Sequence, residues 1–98
     1  MANRDTILIV DDIEMNRAIL SELFKDKYRI LEADNGYDAV AIADENNDKI
    51  AVILLDMIMP KKDGIETLRE LKDFGITNII PTVLMSAEFN DESLFNGH

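Results

Sequence analysis

The stretch that most constrains the fold is the apolar run Ile50–Leu55, IAVILL. A strand with one wet face alternates apolar and polar side chains. A strand that is apolar at every position has to be covered on both faces, as in a parallel sheet layered between helices. Thr6–Val10 (TILIV) is a second run of this kind, rich in β-branched residues. Tyr28–Ala33 (YRILEA) and Ile79–Met85 supply two further strand candidates. The first of these ends at the turn residues Asp34-Asn35-Gly36, and the second carries Pro81, which a strand tolerates best near its start or on an edge.

The segments between these runs have helical spacing. In Glu14–Lys25 the apolar positions Met15, Ala18, Ile19 and Leu23 recur at that period, with Leu20 and Phe24 widening the stripe. Tyr37–Glu45 is a small-residue helix that can pack closely on a sheet, broken by Asn46-Asn47-Asp48. After a loop at Pro60–Gly64 comes a helix with the apolar face Ile65-Leu68-Leu71, ended near Phe74-Gly75. The last residues, Ala87–His98, read as a loop and the beginning of another helix. Strands alternating with helices predict βαβ units and an α/β fold with a doubly wound parallel sheet.

With 98 residues the chain is one domain with an adequate core. Its 47% hydrophobic and 31% charged residues are those of a globular chain, and no apolar run is long enough to span a membrane. The N-terminal residues MANRDT lack an apolar signal region, which makes the cytoplasm the expected compartment. Without cysteine there are no disulfides and no thiolate zinc sites. A net charge of −10 argues against direct binding to nucleic acid, which needs a basic face.

In doubly wound sheets the functional crevice lies outside the carboxyl ends of the strands. There the first strand is followed by Asp11-Asp12, the third by Asp56 and the fourth by Ser86-Ala87. Taken singly, each has a plainer explanation: an acid pair that caps the next helix, a solvated strand end, a turn serine. All of them at one end of the sheet make a site. Three carboxylates packed together repel unless a cation sits among them, and a hard divalent ion with oxygen ligands, Mg²⁺, meets that need. The only histidine is His98, so a histidine-based triad is not available. A carboxylate can itself attack phosphorus to form an aspartyl phosphate.

The stretches ILIVDDIEMNR, ADNGYDAV, ILLDMIMPKKDGIETL and TVLMSA, in this order, resemble the successive signatures of the receiver domain of bacterial two-component response regulators. The likeness runs from about Thr6 to Ala87. It implies a flavodoxin-like sheet with strand order 2-1-3-4. It implies Asp56 as phosphoacceptor, Asp12 as a direct Mg²⁺ ligand beside Asp56, and Asp11 as a ligand through water. The backbone carbonyl of Ile58 would be a further ligand, and Ser86 the switch hydroxyl. Ile58 and Glu88 fall where the lifetime of the phosphoryl group is tuned, and Pro60 and Gly64 shape the adjoining loop. Met57 and Met59 read as packing residues. The implied partner is a sensor histidine kinase or a phosphotransfer protein, and the implied chemistry is acceptance with at most slow self-phosphorylation and self-dephosphorylation, not enzymatic turnover.

The family pattern also contains a fifth strand, a lysine near its end that contacts the phosphoryl group, and a last helix, all beyond the end of this sequence. The expectation is therefore a receiver domain over residues 1–98, incomplete at its C-terminus, with Lys61 and Lys62 as solvated loop charges. The fourth strand would present an apolar edge, open to a homo-oligomer or domain swap. Two alternatives stand beside the phosphoacceptor. One is a receiver that acts only as an interaction unit. The other is a haloacid-dehalogenase-type phosphohydrolase, which usually carries a second Asp where this chain has Ile58 and which leaves the Asp11-Asp12 pair unexplained.

Overall fold

In the computed structural model, which describes residues 3–59 and 61–85, the strands β1 (Thr6–Val10), β2 (Arg29–Ala33), β3 (Ile50–Asp56) and β4 (Thr82–Met85) alternate with the helices α1 (Glu14–Phe24), α2 (Gly36–Glu45) and α3 (Gly64–Asp73). All strand pairs are parallel and the sheet order is β2-β1-β3-β4. The flavodoxin-like arrangement is thus as expected. The most apolar strands, β1 and β3, are central, and the mixed sequence RILEA of β2 lies on an edge with Arg29 and Glu32 in solvent. That is the order expected if apolar area decides which strands are covered.

One face of the sheet carries the main core. Leu8, Val10, Ala33, Ile53 and Leu55 pack there against Ala39, Val40 and Ala43 of α2 and Leu71 of α3. The small residues of α2 permit the close approach that the sequence suggests. Met59, from the loop after β3, is also buried in this core, in keeping with its reading as a packing residue.

The opposite face holds α1. Its inward side is Asn16, Arg17, Leu20, Ser21 and Phe24, all partly buried, and no residue of α1 is fully buried. The stripe Met15-Ile19-Leu23 points outward instead. Ile7 and Ile9 of β1 are buried on this side, while Val52 and Leu54 of β3 are only partly covered and Val83 of β4 is exposed. The expectation that β3 is closed on both faces therefore holds on the α2–α3 side alone among the described residues.

Three further details depart from the sequence reading. The inward face of α3 is Gly64-Thr67-Leu71 with Leu68 at its margin; Leu71 is 0% exposed and Ile65 is 42% exposed. The fourth strand begins only at Thr82, because Ile76–Asn78 form a 3-10 turn after Gly75, whose φ is +78°. Ile80 reaches the core from outside the strand, and Pro81 precedes the ladder instead of interrupting it. Finally, Lys61 is a solvated charge as expected, but Lys62 is buried between α2 and α3. Its ammonium pairs with Glu70 and lies 4.7 Å from the centroid of the Tyr37 ring. The stem passes over Gly36, where a Cβ would collide with it and with the Thr67 hydroxyl. Lysine can bury its methylenes when its charge keeps a partner. The C-terminal stretch read as a loop and helix lies outside the described residues.

The faces assigned to α3 are open to a direct check. Leu71→Ala is expected to lower unfolding free energy by about 3 kcal/mol. Ile65→Ala is expected to change it by less than about 0.5 kcal/mol. Urea denaturation followed by circular dichroism measures both, and the reverse ranking would contradict the packing described.

Candidate functional site

The ladder between the two central strands sets the site. Val10 is paired with Leu55, so the next residues, Asp11 and Asp56, emerge side by side at the carboxyl edge. Asp56 in turn is in register with Met85 at the end of β4. One carboxylate oxygen from each of Asp11, Asp12 and Asp56 lies within 4.8 Å of the others. Asp11 and Asp56 are 3% and 1% exposed, and Asp12 is more open.

Each buried acid is held by its backbone surroundings. The Asp11 N–H donates to the Ala33 carbonyl at 3.1 Å, and its Oδ1 accepts from the Ile13 N–H at 2.9 Å. Ile13, extended at φ −99° and ψ 116°, is the N-cap of α1 and has no side-chain capping bond. The plain explanation of the acid pair as a helix cap therefore fails: neither Asp11 nor Asp12 is the capping residue. Asp56 Oδ1 accepts from the Ile58 N–H at 3.2 Å. Beyond it, the Met57 N–H donates to the Met85 carbonyl and the Gly64 N–H to the Met57 carbonyl, both at 2.8 Å. Gly64 is needed for that approach, since a Cβ there would overlap the Asp56 carbonyl oxygen and the Met57 Cα. The loop is thereby tied to β3, β4 and α3, and α3 is started by Asp63, whose side chain accepts from the Glu66 N–H at 2.8 Å.

The donor set decides which ion could fit. Three carboxylates and no imidazole or thiolate, among the described residues, suit a hard divalent cation and not zinc or copper. Two of the acids are withdrawn from water, where like charges repel more strongly than at the surface, so a cation would relieve a real strain.

The structure thus brings Asp11, Asp12 and Asp56 together and sets Ile58 directly beside Asp56, bonded through its N–H, with its side chain exposed. Ser86, Glu88 and Pro60 lie outside the described residues. Two contacts escaped the sequence reading. Lys62 gives no signal of burial in a loop that begins with another lysine. Arg17 donates through Nη1 to the Asp11 carbonyl at 2.8 Å. Nothing in the sequence pattern marks it as facing β2.

If repulsion among the three acids is relieved by a cation, Asp56→Asn should raise the stability of the metal-free chain by on the order of 1 kcal/mol. It should also blunt the increase in melting temperature on adding Mg²⁺. Thermal unfolding with and without Mg²⁺ would show it. An equal Mg²⁺ response in the two proteins would exclude Asp56 from the ion's surroundings.

Comparison with known proteins agrees with this geometry. The family profile described as "Response regulator receiver domain" matches residues 7–96. The response regulator PleD of Caulobacter vibrioides is 43% identical over 82 residues, 83% of this chain but 18% of PleD, so the chain spans less than a fifth of that relative. A structure of the chemotaxis protein CheY4 of Vibrio cholerae superposes with a TM-score of 0.78 at 25% identity, covering 96% of this chain and 78% of that one. The CheX–CheY–BeF3–Mg complex of Borrelia burgdorferi matches with a TM-score of 0.76 at 26% identity, covering 93% and 68%. A profile match over nearly the whole chain, on a 2-1-3-4 parallel sheet, makes this chain a member of the response regulator receiver domain family.

Proposed function

We propose that this chain is a phosphoacceptor of two-component signalling that takes a phosphoryl group on Asp56 from a sensor histidine kinase or a phosphotransfer protein. The observation that carries this is the convergence of Asp11, Asp12 and Asp56 at the carboxyl edge of β1 and β3, in a chain of the receiver family. The similar CheX–CheY complex of Borrelia burgdorferi contains BeF3 and Mg, which supports the same site chemistry.

In this reading Asp12 and Asp56 would hold Mg²⁺, with Asp11 acting through water and the Ile58 carbonyl as a further ligand. The ion's contribution is to offset the charge of the incoming phosphoryl group. A carboxylate oxygen of Asp56 attacks phosphorus, the bond from phosphorus to the donor imidazole nitrogen breaks, and its electron pair leaves with the imidazole. The Ile58 N–H, already on Oδ1, keeps the carboxylate oriented. Ser86 is the hydroxyl that binds a phosphoryl oxygen, and Ile58 and Glu88 adjust how long the group survives. The chain is thus a stoichiometric acceptor with slow hydrolysis, placed in the cytoplasm with its donor. The phosphohydrolase alternative is set aside by family membership, and by Ile58 standing where its second acid should be.

Intact mass after incubation with acetyl phosphate tests the proposal. One Mg²⁺-dependent phosphoryl adduct, absent from Asp56→Asn, is expected. No adduct on a folded chain would leave the receiver architecture without its chemistry.

A second reading, association through β4, the outer strand among the described residues, is favoured by the exposed Val83 and Leu84 on that strand and Ile79 just before it. Light scattering across a concentration series should then show growing mass, reduced by Val83→Lys. A folded monomer at high concentration would end this reading.

A further inference from the structure

We infer that Arg17 is a positioning residue for the acidic site, holding the Asp11 backbone from behind, and that Mg²⁺ affinity depends on that hold. The inference rests on the proposed reading of the three carboxylates as a Mg²⁺ site.

Arg17 lies in the first turn of α1, and its side chain is only 15% exposed, low for an arginine on a surface helix. The guanidinium uses two edges. Nη1 donates to the Asp11 carbonyl at 2.8 Å, and Nε donates to Glu32 Oε1 at 2.9 Å. Glu32 is the residue before Ala33 on β2, and the Ala33 carbonyl accepts the Asp11 N–H. The Asp11 peptide is therefore gripped from three directions: its N–H by β2, its carbonyl by Arg17, and its carboxylate by the Ile13 N–H. Only the planar fork of arginine can reach a carbonyl on one side and a carboxylate on the other with fixed geometry. Groups that orient a metal ligand without touching the metal commonly change its affinity by about 10-fold or more when removed.

The charge of Arg17 makes the test decisive, because it works against its position. A guanidinium bonded to the Asp11 carbonyl repels a cation arriving at the Asp11 carboxylate, so if charge were all it contributed, removing it would tighten Mg²⁺ binding. If Arg17 holds Asp11 in place, removing it weakens binding. The signs are opposite. Arg17→Lys separates the effects further, since it keeps the charge and loses the fork.

Calorimetric titration of Mg²⁺ into the chain and its variants reads the affinity, at a temperature where circular dichroism shows each protein folded. Arg17→Gln and Arg17→Lys are both expected to weaken binding by about 10-fold. In the metal-free chain, hydrogen exchange of the Ile13 amide is expected to quicken in both. Tighter or unchanged binding in Arg17→Gln, or wild-type binding in Arg17→Lys, would overturn the inference, and the lysine variant decides alone if the glutamine one does not fold. Should the unaltered chain itself bind no Mg²⁺, the proposed function fails and the inference with it. Binding by the unaltered chain with no loss in Arg17→Lys defeats the inference alone.

Discussion

The parallel ladder between β1 and β3 is the interaction on which the rest depends. Pairing Val10 with Leu55 sets the following acids side by side, and a slip of one residue would turn one of them to the opposite face. The carboxylates themselves oppose this arrangement, since like charges within 4.8 Å of one another repel by a few kcal/mol, to order of magnitude, in a partly screened setting. The register survives because the same ladder buries Leu8, Val10, Ile53 and Leu55, each worth roughly 2 kcal/mol when fully buried. The core imposes the acidic site, and the site taxes the core.

The loop after β3 shows how such a cluster is kept in shape. Met57 is bonded to β4 on one side and to Gly64 on the other, and Met59 is sunk into the core. Lys62 then anchors the loop between α2 and α3 through Glu70 and Tyr37. Loops that carry function are usually positioned by a rigid scaffold. Here the segment beside Asp56 is fastened at Met57, Met59 and Lys62, and the lysine read as a solvent charge is part of that fastening.

The plan of the fold was legible because each signal was local. Continuous apolar runs marked β1 and β3, turn residues marked the end of β2, and Phe74-Gly75 marked the end of α3, where Gly75 takes the left-handed conformation. The errors came where an element's surroundings decide the outcome. The period of α1 and α3 was right, but Met15-Ile19-Leu23 and Ile65 face outward while Thr67, an unremarkable residue by hydropathy, is fully buried. Helical periodicity gives a stripe; which stripe is covered depends on the angle at which the helix crosses the sheet. Ile79 and Ile80 looked like strand, but the 3-10 turn Ile76–Asn78 after Gly75 delays the ladder past both of them.

By itself the sequence determined the class of fold, the order of its elements and the identity of the three acids. Hydrophobic period, turn chemistry and the rule that sites lie beyond strand carboxyl ends are properties of short stretches. Only the tertiary structure decided that Asp11, Asp12 and Asp56 come within 4.8 Å, that the acid pair is not spent on capping α1, and that Arg17 and Lys62 turn inward. Those outcomes depend on register and on partners far away in the chain. Glu32 is 15 residues from Arg17 and Tyr37 is 25 from Lys62. No local pattern encodes a partner at that separation; the pairing of strands and the docking of helices bring it into reach.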